Sequence, residues 1–538
     1  MNPTRDVIFY NARIFTSNPK QPEATAMVVR DGRIVWVGEE AGLQGWTGKR
    51  MNLQGRRVLP GLIDAHMHPL FLADAARQIP CTPPLIHSIE DLVTEIRRQR
   101  QSGGADAWIK AWGYDEGKWS EGRAPTRWDL DRAAPDVPVI VYRTCSHMAV
   151  VNSVALAIAG ISKETPDPPG GEIVRDSDGE PTGLLRENAK ALVTPFIPVQ
   201  TMEESATALA ELSPQLLGHG ITAITDLMAR REPEDDLDLY RKARKRGLQP
   251  RTVLYYFWEH LRKRPVIDPS IRSRQSPVHV GGIKLFADGS ISGRTAWIDP
   301  VYRGNEVTGG MATTSREELL AAAEAAKENQ VQLVIHGMGN RAIDMIVDTF
   351  RGTKGWLADM PSIRIEHAAL PFPKAIQGAV ETGIAFVFQP IFLFAEIESY
   401  LHNIGRERTR GAYPVQTMLE RGGSVAFSSD APATTWADPV NPFVGIQAAV
   451  TRKAYDGTDI GGDQAVDVAT AITLYTRAAQ QITGIPAVGQ LAPGYHGDFI
   501  VLDQDIFEVE KEKIHQIRVE ETYMGGLQVY QRGVEVKK

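Results

Sequence analysis

Residues 59–69 read Leu59-Pro60-Gly61-Leu62-Ile63-Asp64-Ala65-His66-Met67-His68-Pro69, an apolar run that ends in two histidines. The run predicts a buried strand. Side chains at positions i and i+2 of a strand share one face, so His66 and His68 would project the same way. Neutral imidazole nitrogens are common zinc ligands, and the pair can bind one cation. Alternatively, two nearby histidines occur by chance or are solvated, so other residues must decide between these interpretations.

The composition is that of an ordinary globular protein of 538 residues, with 43% hydrophobic and 23% charged residues. A formal net charge of −7 argues against a nucleic-acid partner, which a basic excess would usually accompany. We therefore expect a small-molecule substrate. The sequence leaves a homo-oligomer open.

The two cysteines, Cys81 and Cys145, are too few for a disulfide framework and lack C-x-x-C spacing. They indicate a reducing compartment. The first residues lack the apolar core of a secretory signal, and no apolar run is long enough to span a membrane. We therefore expect a soluble cytoplasmic protein without a membrane partner.

Both chain ends carry short strand patterns. Residues 7–10, 26–29 and 34–37 are apolar runs, and Asp31-Gly32 between the last two is a hairpin signal. Residues 499–502 and 519–524 repeat the pattern near the other end. Neither end has obvious means of burying both faces of a sheet alone. Residues 1–58 and 491–538 are therefore predicted to pair into one small β-sandwich domain.

The middle of the chain predicts an α/β fold, a TIM-like (β/α)8 barrel over residues 59–490, because helical and strand patterns alternate from about residue 203 onward. The opening strand and seven later ones make eight. The later strands are predicted at residues 222–226, 251–256, 282–286, 331–336, 363–367, 385–388 and 424–430. Residues 70–192 are irregular and rich in glycine, proline and tryptophan, so they predict a long insertion after the first barrel strand.

Five of the predicted barrel strands carry groups that can bind a metal, most of them at the strand end. These groups are His66 with His68, Lys284, His336, His367 and Asp430. Catalytic residues of such barrels gather at the carboxyl ends of the strands, so we expect these side chains on one rim. Any single one, such as His336, could be a structural core residue. The set as a whole predicts a metal centre.

The order His-x-His, Lys, His, His and Asp on successive strands resembles the amidohydrolase superfamily of metal-dependent hydrolases, over nearly the whole chain. Four further stretches resemble its amidohydrolase-3 group, which includes N-substituted formamide deformylase. They are residues 111–115, 146–153, 179–183 and 284–290. The resemblance implies that His66, His68 and Asp430 hold one divalent cation, usually zinc, and that His336 and His367 hold a second.

The resemblance also implies that Lys284 bridges the two cations. A bare ammonium cannot ligate a cation, so this role requires carbamylation of Lys284 by CO₂. Alternatively, Lys284 stays an ammonium paired with Asp288 or another acid, and only one metal binds. In either case a metal lowers the pKa of its bound water and polarises the carbonyl under attack. Asp430 would take the proton of that water and pass it to the leaving amine.

Substrate contacts are expected from His147, Asn152, Trp112 and Asp288. His147 and Asn152 lie in a stretch that matches the family, but a structural role in the insertion explains them equally well. Trp112 belongs to a set of aromatic residues that could form either an apolar pocket or the insertion's own core. Asp288 stands beside a glycine, where acids often form turns.

The leading hypothesis is a hydrolase of a non-peptide carbon–nitrogen bond, that of a linear amide or formamide. A deaminase of an aminated heterocycle on the same scaffold is the first alternative. Deaminases of this superfamily typically place a glutamate shortly after the fifth-strand histidine, whereas Gly337-Met338-Gly339-Asn340-Arg341 follow His336 here. A catalytically inactive metal-bound sensor is the second alternative, and the intact ligand set argues against it.

Overall fold

The computed structural model describes residues 6–82, 85–102, 108–144, 148–168, 171–198, 200–304 and 309–534. The chain divides into two compact units. The first comprises Met1–His68, Leu209–Ala431 and Pro439–Lys538, and the second comprises Pro69–Ala208 and Pro432–Asp438.

The strands of the first 68 residues are β1 (Asp6–Tyr10), β2 (Arg13–Phe15), β3 (Glu23–Ala24), β4 (Ala26–Arg30), β5 (Arg33–Gly38), β6 (Lys49–Asn52), β7 (Arg57–Pro60) and β8 (Leu62–Met67). Those of the second unit are β9 (Ile79–Pro80), β10 (Ile109–Tyr114), β11 (Val139–Arg143), β12 (Met148–Val151), β13 (Gly171–Arg175) and β14 (Pro181–Glu187). The later strands are β15 (Ile221–Ala229), β16 (Arg251–Phe257), β17 (Val278–Phe286), β18 (Gln332–Gly337), β19 (Ile363–His367), β20 (Ala385–Phe388), β21 (Val425–Phe427), β22 (Phe499–Leu502), β23 (Val519–Met524) and β24 (Leu527–Gln531).

The α-helices are α1 (Pro69–Ala75), α2 (Ile89–Ser102), α3 (Arg127–Asp131), α4 (Ser153–Ile158), α5 (Met202–Glu211), α6 (Ser213–Gly218), α7 (Asp236–Arg246), α8 (Trp258–Leu261), α9 (Arg316–Glu328), α10 (Asn340–Phe350), α11 (Pro373–Thr382), α12 (Pro390–Ala395), α13 (Ile397–Arg410), α14 (Val415–Glu420), α15 (Pro442–Thr451), α16 (Val468–Leu474) and α17 (Arg477–Thr483). Short 3₁₀ helices lie at Glu40–Leu43, Glu116–Lys118, Asn188–Leu192, Thr194–Phe196, Pro269–Ile271, Thr435–Ala437, Gly462–Gln464 and Lys511–Gln516. Of the helices described, none combines the length and apolarity that a membrane crossing requires.

The eight strands β8 and β15 to β21 form one sheet in which each strand pairs in parallel with the next along the chain. The first and last of them, β8 and β21, also lie next to each other, so the sheet nearly closes. Helices α7, α9 and α10 pack against β17 and β18. This confirms the predicted eight-stranded parallel barrel, whose strand ends must share one rim.

Both chain ends contribute to a six-stranded sheet of order β24-β23-β22-β7-β2-β3, and β5-β4-β1-β6 form a four-stranded sheet. Strand β22 pairs antiparallel with β7. On β1, the ring of Phe9 meets those of Phe499 and Tyr523 at centroid distances of 4.8 Å and 5.3 Å. The chain ends therefore share an apolar core, while a separate β-sandwich domain of residues 1–58 and 491–538 stays a prediction.

The second unit is built on a six-stranded sheet of order β13-β14-β12-β11-β10-β9. The predicted insertion at residues 70–192 lies within it. Tyr114 and Trp119 belong to one of its apolar clusters, and Trp108 packs against another. These three rings thus belong to the core of the unit or pack against it, as the second of the two alternatives predicts.

Candidate metal centre

Three of the predicted ligands converge where β8 ends and just beyond β21. Nε2 of His66 and Nε2 of His68 lie 3.2 Å and 2.9 Å from Oδ1 of Asp430. One ligand atom from each of the three lies within 4.8 Å of the others. Two imidazoles and a carboxylate are a common zinc donor set, so the residues fit a divalent cation.

Two of the predicted ligands occupy an uncommon backbone conformation. His367 has a φ of 69° and Asp430 a φ of 57°, both in the left-handed region. Non-glycine residues rarely adopt this region, and such strain concentrates at functional sites. The strained positions support the interpretation of this rim as the functional site.

The second predicted pair of ligands lies beside the first group. The rings of His336 and His367 are 4.4 Å apart, and those of His66 and His367 are 4.9 Å apart. Nδ1 of His367 lies 2.7 Å from Oε1 of Gln389. Nε2 of His336 lies 3.0 Å from the carbonyl oxygen of Gly289. The structure therefore brings the four histidines that were predicted as ligands to one rim. Of these four, His66 and His68 form a group with Asp430.

Lys284 is fully buried on β17. Its Nζ has no hydrogen-bond partner in the described part of the chain and lies 5.0 Å from the centroid of the Phe286 ring. Burial lowers the pKa of Lys284 to about 8, although the carboxylates of Glu366 and Asp430 act in the opposite direction. Lys284 forms no ion pair with Asp288, which is one of the acids that the one-metal alternative allows. The carboxylates that act on Lys284 are those of Glu366 and Asp430.

The carboxylate of Asp288 instead binds main-chain groups of two loops. It accepts hydrogen bonds from the N–H groups of Trp297, Met338 and Gly339 over 2.8 to 2.9 Å. Burial raises the pKa of Asp288 to about 7. Asp288 thus connects the segments that follow β17 and β18 through hydrogen bonds. Its predicted contact with the substrate stays a prediction.

The protonation states of the candidate ligands depend on their burial and on the charges of the neighbouring ligands. Burial favours neutral imidazole, and it lowers the pKa of His336 to about 3 and that of His367 well below its ordinary value. The pKa of His66 is raised in spite of burial, because the carboxylate of Asp430 faces it. Burial also works to raise the pKa of Asp430, but His66 and His68 hold it well below its ordinary value. Asp430 is therefore ionised, as a metal ligand must be.

The other predicted substrate residues lie in the second unit or outside the described residues. Asn152 is fully buried, and its amide makes four hydrogen bonds to main-chain groups, which favours the structural alternative. Trp112 is half-buried, with its ring 6.0 Å from that of Tyr142, and its substrate contact stays a prediction. His147 lies outside the described residues.

Sequence reasoning missed two buried carboxylates beside the ligands. Oε2 of Glu366 lies 2.5 Å from Nδ1 of His66. Oδ1 of Asp64 accepts hydrogen bonds from the main-chain N–H groups of His66 and Ser429 over 3.2 Å and 3.1 Å. Burial raises the pKa of Asp64 to about 6. Acidic residues within otherwise apolar strands were the available signal, because buried charges are rare unless they are paired.

The chain is also similar to known proteins in sequence and in structure. A model of the Amidohydrolase family matches residues 49–530. The chain is 29% identical to the putative amidohydrolase YtcJ of Bacillus subtilis (strain 168), over 98% of this chain and 99% of that protein. It is 28% identical to the N-substituted formamide deformylase of Arthrobacter pascens, over 99% of both. The crystal structure of an uncharacterized metal-dependent hydrolase from Pyrococcus horikoshii OT3 superposes with a TM-score of 0.77 at 25% identity, over 94% of this chain and 99% of that one.

Proposed function

Because the chain belongs to the amidohydrolase family, as its sequence predicts, we propose that it is a metal-dependent hydrolase of a linear amide or formamide. The convergence of His66, His68 and Asp430 carries this proposal. The similarity to an N-substituted formamide deformylase over nearly the whole chain supports a non-peptide carbon–nitrogen bond as the bond that is cleaved.

His66, His68 and Asp430 would hold the first divalent cation. Zinc suits the set, because it accepts imidazole and carboxylate ligands together. When bound, such a cation supplies Lewis-acid chemistry, in that it makes water more acidic and polarises a carbonyl group.

His336 and His367 would hold a second cation, with Lys284 as a carbamylated bridge. The support is the position of Lys284, which is fully buried without a hydrogen-bond partner among the described residues. An unpaired buried ammonium is costly. Carbamylation would replace that charge with an anionic group whose two oxygens can be shared between cations.

Asp430 is the proton carrier in this proposal. Its carboxylate is ionised and lies at the end of the barrel, so it can accept a proton from the attacking water. The hydroxyl of that water joins the carbonyl carbon while the carbon–nitrogen bond breaks. Asp430 then delivers the proton to the leaving nitrogen, so the products are a carboxylic acid, or formate, and an amine.

The test is a screen of purified, zinc-loaded protein against amides, formamides, lactams and aminated heterocycles, with acid, amine and ammonia measured separately. We expect equimolar acid and amine from a linear amide or formamide. His68→Ala should lose this turnover, whereas His402→Ala, at an exposed position of α13, should keep it. Ammonia from the heterocycles alone would indicate a deaminase, and no turnover of any class would indicate a metal-bound sensor.

A further inference from the structure

Two charged side chains, Arg364 and Glu366, are fully buried in the barrel beside the candidate metal centre. They stand at positions i and i+2 of β19 and so share one face of that strand. Nε of Arg364 lies 2.9 Å from Oε1 of Glu366. Charges are this deeply buried only when something compensates their loss of water. The guanidinium of Arg364 therefore compensates the negative charge of the Glu366 carboxylate.

The contacts of Arg364 hold it in place. Its guanidinium donates a hydrogen bond of 3.0 Å to the carbonyl oxygen of Ala65, and it lies 4.8 Å from the centroid of the Tyr255 ring. Ala65 directly precedes His66 in β8. Arg364 thus links β19 to the strand that carries the first candidate ligand.

The second oxygen of Glu366 reaches that ligand. Oε2 lies 2.5 Å from Nδ1 of His66, while Nε2 of the same ring lies 3.2 Å from Oδ1 of Asp430. An ionised carboxylate can only accept hydrogen bonds, so Nδ1 of His66 must donate. In neutral imidazole the other nitrogen, Nε2, then carries the lone pair, and Nε2 is the atom that faces the candidate ligands.

We propose that Glu366 is a positioning residue for metal binding, which holds His66 in the orientation and tautomer that present Nε2 to the cation. The inference rests on the proposed function, because it takes His66 as a metal ligand. The contact between Gln389 and His367 is the uncharged counterpart of this arrangement. Of the two histidines, His66 is thus the one whose Nδ1 contacts an anion, and such a contact increases the basicity of the ring.

The test compares the zinc affinity of wild type, Glu366→Gln and Asp505→Asn, measured by competition with a chromophoric chelator. Asp505→Asn is the matched control, because it breaks another buried ion pair, the one with Arg57, whose two contacts are 2.8 Å and 2.9 Å. We expect Glu366→Gln to bind zinc about 10- to 100-fold more weakly. Asp505→Asn should keep the wild-type affinity even if its thermal stability falls.

The visible absorption spectrum of the cobalt-substituted protein gives a second measurement. Glu366→Gln should alter it, because the orientation of one ligand changes, whereas Asp505→Asn should not. Wild-type zinc affinity and an unchanged cobalt spectrum in Glu366→Gln would overturn the positioning role and leave the proposed function standing. Failure of the wild type to bind zinc, cobalt or any other divalent ion would overturn the proposed function itself.

A third variant decides the matter if Glu366→Gln does not fold. Glu366→Asp keeps the charge beside Arg364 but withdraws the carboxylate from His66 by one methylene group. It should fold, bind zinc more weakly than wild type and show an altered cobalt spectrum. Zinc affinity equal to that of wild type would overturn the proposal.

Discussion

The main-chain N–H of Asp430 donates a hydrogen bond of 2.7 Å to the carbonyl oxygen of His66. The N–H of His68 in turn donates to the carbonyl oxygen of Ala431 over 2.8 Å. These bonds join the end of the first barrel strand to the segment that follows the last one. Main-chain bonds, and not only side chains, therefore bring the three candidate ligands together, and single changes of a ligand side chain should leave this framework intact.

Asp430→Asn should abolish turnover while the fold stays intact. Asparagine also tolerates the left-handed backbone conformation that Asp430 adopts, so the change adds little strain. Its amide, however, cannot accept the proton of water and is a poorer metal ligand. We expect kcat to fall by at least about 100-fold, with an unchanged circular dichroism spectrum. A rate near that of wild type would exclude Asp430 as the proton acceptor.

The wild-type protein should bind one to two equivalents of zinc or a similar divalent ion, as elemental analysis would show. Exhaustive chelation should abolish activity and lower the thermal unfolding midpoint. A ligand that binds only the folded state adds about 2.7 kcal/mol to the unfolding free energy at 100 times its Kd. His68→Ala should bind less metal, and His402→Ala should bind as much as wild type. Fully active protein after chelation would contradict the mechanism.

The barrel could be predicted because its strands are short apolar runs separated by helical patterns, but several strand boundaries could not, and β21 and β17 show why. The sequence predicts the last strand over residues 424–430, whereas β21 ends at Phe427. Asp430 lies in the left-handed region, which residue propensities do not reveal. Strand β17 begins at Val278, not at residue 282. Glycine weakens a strand pattern, yet a Cβ on Gly282 would lie 2.3 Å from the carbonyl oxygen of Gln332.

The candidate ligands could be predicted because each stands at or near the end of a recognisable strand, and the strand ends of a parallel barrel meet on one rim. The role of Glu366 could not be predicted, because it depends on a contact with His66, which lies 300 positions away in the sequence. Asn152 shows the opposite case. The residues around Asn152 resemble the family, but only the structure shows that its side-chain amide is hydrogen-bonded to main-chain groups.

Asn152→Ala should destabilise the second unit. The Asn152 amide binds two buried N–H groups over 3.0 Å and two buried carbonyl oxygens over 2.8 Å, and alanine satisfies none of them. These groups belong to Val139, Ala155, Ala134 and Val137. A buried polar group without a partner costs about 1–3 kcal/mol, so we expect the unfolding free energy to fall by at least about 2 kcal/mol in urea denaturation.

The control for this change is Gln101→Ala, at an exposed position of α2, which should leave the unfolding free energy within about 0.5 kcal/mol of wild type. A raised KM of Asn152→Ala at wild-type stability would instead support a direct contact with the substrate.

The one-metal and two-metal alternatives predict different results for a substitution of Lys284. If it is a carbamylated bridge, Lys284→Ala should lose the second metal and most activity. Acetate or another small carboxylic acid should then restore part of both, because it can occupy the vacated space between the cations. The physical reason is that a bridging anion offsets the repulsion between two closely spaced dications, and any small carboxylate supplies that charge. Metal content and rate are measured together across an acetate titration.

The same titration of Asp430→Asn is the control, since its Lys284 bridge is intact and acetate has no space to fill. Acetate should therefore raise neither its metal content nor its rate. If Lys284 is an unmodified ammonium, acetate should also do nothing for Lys284→Ala, because no bridging anion has been lost. A wild-type crystal grown with bicarbonate that showed one bound metal and an unmodified Lys284 side chain would exclude the two-metal alternative.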